Sequence, residues 1–182
     1  MIYLILGLLI WTSAHVMKRV APGLRASLGD GPGKGIVTGL LVLSIWLMVK
    51  GYGQVDGPIF WGRSPMLVGL NNLLMLFAVY LFAVSGLKTA LARCIRHPML
   101  AAVKVWALAH LLVNGDLGSF VLFGGLLFWS MVHVIVINKS EPAWVRPDPQ
   151  PREKEVKAVG TSVVFFAIIS GIHAWLGYSP IG

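Results

Sequence analysis

LGSFVLFGGLLFWSMVHVIVIN, residues 117–138, runs for 22 positions without a lysine, arginine, aspartate or glutamate. A helix of that length rises about 33 Å at 1.5 Å per residue, enough to cross a hydrocarbon layer of about 30 Å. Read outward from it, the chain repeats the theme. Further apolar stretches lie at 1–17, 35–50, 65–86, 99–114 and 158–178. Of the 182 residues, 57% are hydrophobic and 12% are charged, against roughly 25% charged in a soluble domain. The mean hydropathy is +0.78. The surface charge a soluble fold needs is missing, so lipid is the expected solvent. The sequence predicts an all-α integral membrane bundle of six transmembrane helices, in a single domain over residues 1–182.

The basic residues give an independent reading of topology. If all six runs span, Lys18, Arg19, Arg25, Lys34, Lys88, Arg93, Arg96, Lys104, Lys139, Arg146, Arg152, Lys154 and Lys157 share one side. Those are thirteen of the fifteen cations, and only Lys50 and Arg63 fall on the other side. This is the positive-inside bias, and it places both termini outside. The net charge of +8 is therefore a membrane signal rather than a nucleic-acid footprint. No lysine or arginine precedes Lys18, which is the charge order of an uncleaved anchor and not of a signal peptide. The expected home is the bacterial inner (cytoplasmic) membrane, with lipid as the main partner. The runs at 35–50 and 99–114 are short for a span and need help from flanking residues.

Between the runs the sequence reads as connectors. Residues 139–157 are polar and proline-rich, with Glu153 and Lys157 spaced to open the last helix. Pro22 to Gly35 is a Gly/Pro loop with a short interfacial turn at Arg25–Leu28. Gly35 and Gly39 make a GxxxG that permits close helix approach. Phe60 and Trp61 are interface anchors. The short Asn114-Gly115-Asp116 connection predicts that the helices on either side of it are antiparallel neighbours. Cys94, the single cysteine, has no partner in sequence for a disulfide or a redox pair.

The candidates for chemistry are histidines. His15, His97, His110, His133 and His173 all lie in or at the edge of apolar runs. An ionisable side chain at membrane depth is costly unless paired, hydrated or bound. His110 is the sharpest candidate. It lies roughly 20 Å along its helix from His97, or about 9 Å from Lys104 if that side chain snorkels to the interface. Val103, Trp106, Ala107 and Asn114 share its face, and Asn114 is placed to hold the second ring nitrogen. Two imidazoles from different helices can clamp a haem iron, and Arg25, Arg93, Arg96 or Lys104 can meet its propionates. His97 reads more simply as an interfacial residue, and His133 and His173 as near-surface. Zinc, haem and no metal all remain open on the residues alone. No acidic residue lies in mid-membrane, which argues against a proton pump and a hydrolytic zinc site. Asn71 and Asn72 read as helix-to-helix hydrogen-bonding residues. Trp11, Trp46, Trp106, Trp129 and Trp175 read as packing or interface residues.

The strings Arg96-His97-Pro98-Met99-Leu100 and Trp106-Ala-Leu-Ala-His110-Leu-Leu-Val-Asn114-Gly115-Asp116, with the early His15 and Leu24-Arg25-Ala-Ser-Leu28, resemble the NnrU family over nearly the whole chain. The resemblance implies a link to denitrification. The family takes in the plant 15-cis-zeta-carotene isomerase, which looks like it uses haem b. By that resemblance His15 and His110 match its axial histidines. Where the isomerase pattern has a cysteine three residues before the second histidine, this chain has Ala107, so a thiolate ligand is absent there. The expectation is a haem b-binding membrane protein in nitrogen-oxide metabolism, with His15 and His110 as iron ligands. Such an iron would bind nitric oxide or pass electrons to a redox partner. The alternatives are a haem-dependent double-bond isomerase acting on a small apolar substrate, and a cofactor-free membrane assembly or regulatory factor.

Overall fold

A computed structural model describes residues 1–180. The chain is helical: α1 (Ile2–Val20), α2 (Pro22–Ser27), α3 (Asp30–Tyr52), α4 (Pro65–Leu87), α5 (Pro98–Val113), α6 (Leu117–Ser140) and α7 (Arg152–Trp175). Among the described residues, four helices are long and apolar enough to cross a membrane, namely α3, α4, α6 and α7. The run at 35–50 needs no outside help. Its helix starts at Asp30 and has 23 residues, about 34 Å. The segment read as a loop is largely helical, since α2 and the first turn of α3 lie within it. By contrast, α5 has only 16 residues, about 24 Å. The 19-residue α1 carries Thr12, Ser13, His15, Lys18 and Arg19 in its second half, which dilutes its apolar character.

The chain forms two compact units. The first comprises Met1–Phe60 with Asp116–Pro142, and the second Trp61–Gly115 with Ala143–Gly182. In the first, α1 packs on α3 and on α6. Glycine makes the α1–α3 crossing possible. A Cβ on Gly7 would lie 2.8 Å from the Ser44 carbonyl, and one on Gly51 would lie 2.7 Å from the Leu4 Cα. The GxxxG expectation is corrected here, because a Cβ on Gly35 or Gly39 meets nothing within 4 Å. The close approach instead joins Gly7 in the first half of α1 to the second half of α3, and Gly51 near the end of α3 to the start of α1.

Entry into α6 is fixed by Asp116. Its carboxylate accepts the Ser119 backbone N–H at 2.9 Å and the Ser119 hydroxyl at 2.6 Å, and the Tyr52 hydroxyl then donates to Ser119 Oγ at 2.9 Å. Ser119 is fully buried. Asp116→Ala removes the helix cap and strands that hydroxyl, so thermal unfolding in detergent is expected to show a loss of about 2 kcal/mol. The next turn, Phe120–Gly124, is π-helical before α6 resumes an α-helical course.

In the second unit α4 packs on both α5 and α7. The packing partner of α5 within this unit is α4, and Asn114–Asp116 is where the chain passes between units. The last helix begins before its apolar run because Glu155 has a structural task. It accepts the Tyr80 hydroxyl from α4 and the Ala90 backbone N–H at 3.2 Å. In both units the burial pattern is that of a membrane bundle. Large apolar side chains such as Val42, Leu73 and Phe128 face outward, while Ser44, Asn71, Ser130 and Ser162 are buried. Ser44, Ser130 and Ser162 each satisfy their hydroxyl on a carbonyl of their own helix.

Candidate functional site

Each unit gathers imidazoles. In the first, Trp11 and His15 stand one turn apart on α1, and Trp129 and His133 stand one turn apart on α6. Ring centroids are 4.9 Å apart for His15–Trp129, 5.9 Å for His15–His133 and 5.5 Å for Trp11–Trp129. Gly125 sets this meeting, because a Cβ there would come 2.8 Å from Leu8. The helices therefore approach one turn before the cluster. His133, expected near the surface, is 7% exposed, and Trp129 is 5% exposed. The rings of α1 cover α6 at Trp129 and His133, while Ile135 and residues 138–140 beyond them are exposed. The indole Nε1 atoms of Trp11 and Trp129 are buried without a hydrogen-bond partner. An unsatisfied buried donor costs about 1–3 kcal/mol, and the edge-to-face ring contact offsets only part of that.

The second unit holds His110 on α5 and His173 on α7, both lining a cavity of about 120 Å³ with Asn71, Asn72 and Asn114. Asn114 is close to His110, but its amide donates to the His110 backbone carbonyl at 2.9 Å. The carbonyl that receives the ring is Trp106's, at 2.9 Å from Nδ1. This corrects the role expected of Asn114. It caps the helix end, and the i−4 carbonyl fixes the ring. Asn72, expected to bond between helices, donates instead to the Pro180 carbonyl at 3.1 Å.

One local device recurs. The Nδ1 of His15 meets the Trp11 carbonyl at 2.9 Å, that of His110 meets Trp106, and that of His173 meets Ile169 at 2.8 Å. A carbonyl oxygen can only accept, so Nδ1 carries the proton in all three. In the neutral ring Nε2 then holds the lone pair and is the ring's acceptor atom. Metal-bound histidines are commonly oriented in this way by a backbone carbonyl.

The basic candidates are mostly spent on other contacts. Arg25 donates to the Gly29 carbonyl at 3.0 Å. Arg93 and Arg96 donate to the Pro147 and Ala143 carbonyls at 3.0 and 3.3 Å, tying down the polar connector. His97 stands at the start of α5 with Pro98 in its first turn, as expected. Lys104 lies in the second turn of the same helix.

The family model described as NnrU protein matches residues 3–180. The chain belongs to the NnrU family. No curated protein and no solved structure matches it. Within this NnrU-family chain, two features escaped the sequence reading. The first is that W-x-x-x-H occurs three times, at Trp11/His15, Trp106/His110 and Trp129/His133. That spacing puts an indole against each imidazole on one helix face, with centroids 4.3, 4.9 and 5.3 Å apart. The string was legible as a repeat of side-chain pairs although no longer segment repeats. The second is the Nδ1 tether, which any helical histidine four residues after a carbonyl can reach. The NnrU match does not assign either feature a role.

Proposed function

We propose that this NnrU-family protein spans the bacterial inner membrane six times with both termini outside, binds haem b through histidine, and serves nitrogen-oxide metabolism. His15 and His110 are the ligands we assign first. The observation that supports this is the tethered Nδ1 of each, which puts the neutral ring's lone pair on Nε2. Donor number also favours haem over a closed zinc site. Among the described residues, no three of His, Cys, Asp and Glu come together. A structural zinc takes four protein ligands, whereas the porphyrin supplies four of the iron's ligands itself.

The donor chemistry fits haem. The 120 Å³ cavity beside His110 is smaller than the roughly 300–1,000 Å³ of pockets that bury drug-sized ligands, so it does not enclose the macrocycle on its own. When bound, the haem supplies an iron that takes nitric oxide or passes an electron. The protein's part is to hold each imidazole in one tautomer through its i−4 carbonyl. Ala107 is fully buried and carries no ligand atom, which counts against the isomerase alternative with its cysteine at that place. Protein purified in detergent from haem-replete cells is expected to show a Soret band and a haem b pyridine haemochrome near one per chain. Folded, colourless protein overturns the proposal and leaves the assembly or regulatory reading.

A further inference from the structure

Among the described residues that line the cavity of the second unit, Arg63 is the only formally charged one, and no aspartate or glutamate contributes. Asn71, Asn72 and Asn114 add amide groups, and Met75, Val79, Val113, Phe166 and Ile169 make much of the rest apolar. Such a lining suits a small molecule with one acceptor-rich anionic end and a short hydrocarbon part.

What occupies the donors is the chain itself. Helix α7 ends at Trp175, and Gly177, with φ at +86°, turns the backbone back. Gly177 N–H donates to the Ala174 carbonyl at 3.0 Å and Tyr178 N–H to the His173 carbonyl at 2.8 Å. The strap that follows, residues 176–180, then offers two successive carbonyl oxygens. Ser179 accepts from Arg63 Nη2 at 2.9 Å, and Pro180 accepts from Asn72 Nδ2 at 3.1 Å. Both are neutral acceptors. A guanidinium has five N–H donors and bonds a carboxylate about twice as strongly as a neutral carbonyl.

We propose that this cavity is a binding site for a small monocarboxylate with a short aliphatic tail, and that the strap is a lid whose two carbonyls occupy the donors the carboxylate takes. The site stands on Arg63 and Asn72 and does not require an iron.

Calorimetric titration of the detergent-purified full chain with sodium butyrate, against butyramide at equal ionic strength, tests it. Saturable binding is expected for butyrate and not for butyramide. Arg63→Gln is expected to weaken it at least tenfold, and Asn72→Ala severalfold. Gly177→Ala places a side chain on a positive-φ residue, loosens the strap, and is expected to tighten binding severalfold. No saturable heat with butyrate, equal binding of the amide, or wild-type affinity in Arg63→Gln overturns the proposal. If Arg63→Gln does not fold, wild-type affinity in Asn72→Ala overturns it instead.

Discussion

Gly51→Val is expected to eliminate monodisperse protein from a detergent extract, while Gly35→Ala and Gly39→Ala leave it intact or slightly more stable. At Gly51 the space for a side chain is already filled by the backbone of Leu4, with the Leu4 Cβ only 2.8 Å from an ideal Cβ. A flexible side chain can swing aside; a helix backbone cannot. Overpacking typically costs about 1–3 kcal/mol, and a backbone clash at a crossing held by two glycines belongs at or above the top of that range. Leu4 is fully buried, so α1 cannot shift without uncovering it. At Gly35 and Gly39 there is open space, and Gly→Ala in a helix gains up to about 1 kcal/mol. Size-exclusion recovery and the thermal midpoint report both effects. Stable Gly51→Val protein, or Gly35→Ala as damaging as Gly51→Val, contradicts the packing described.

A second result is close to all-or-none. The single thiol, Cys94, is exposed and follows a short 3₁₀ turn, Ala90–Arg93, between α4 and α5. In the proposed topology it lies inside, among Lys88, Arg93 and Arg96. A membrane-impermeant maleimide is expected to leave it unlabelled in intact spheroplasts and to label it in inverted vesicles. Cysteines placed at Lys50 or Arg63 are expected to label in the opposite pattern, in a background where Cys94 is serine. The warrant is the distribution of thirteen cations against two, since Lys and Arg in short loops set orientation. Labelling of Cys94 from outside reverses the topology, and labelling from both preparations denies a fixed one.

Apolar runs located helices well because lipid exposure demands uninterrupted hydrophobic surface. Residues 65–86 and 117–138 became Pro65–Leu87 and Leu117–Ser140 almost unchanged. The ends were less legible where polar residues do structural work, as with Glu155 at the start of α7 and the glycine-rich start of α3. Which helices meet was not legible. A run's composition says nothing about its neighbour, and the decisive glycines, Gly7, Gly51 and Gly125, look like any others in the sequence. Hence the pairing of His15 with Trp129 and His133 was missed, although the i,i+4 indole–imidazole spacing on each helix was present to be read. The strap over the His110 cavity depends on one positive-φ glycine and two carbonyls, and main-chain acceptors leave no mark in side-chain patterns.

The claim on which the functional account rests is that tethered imidazoles offer Nε2 to a haem iron. The most direct measurement is the visible spectrum of His110→Gly and His15→Gly, each purified with and without added imidazole. The account predicts that each substitution removes or shifts the Soret band and that free imidazole, entering the vacated space, restores it. Haem retained with an unchanged spectrum in both variants contradicts the account.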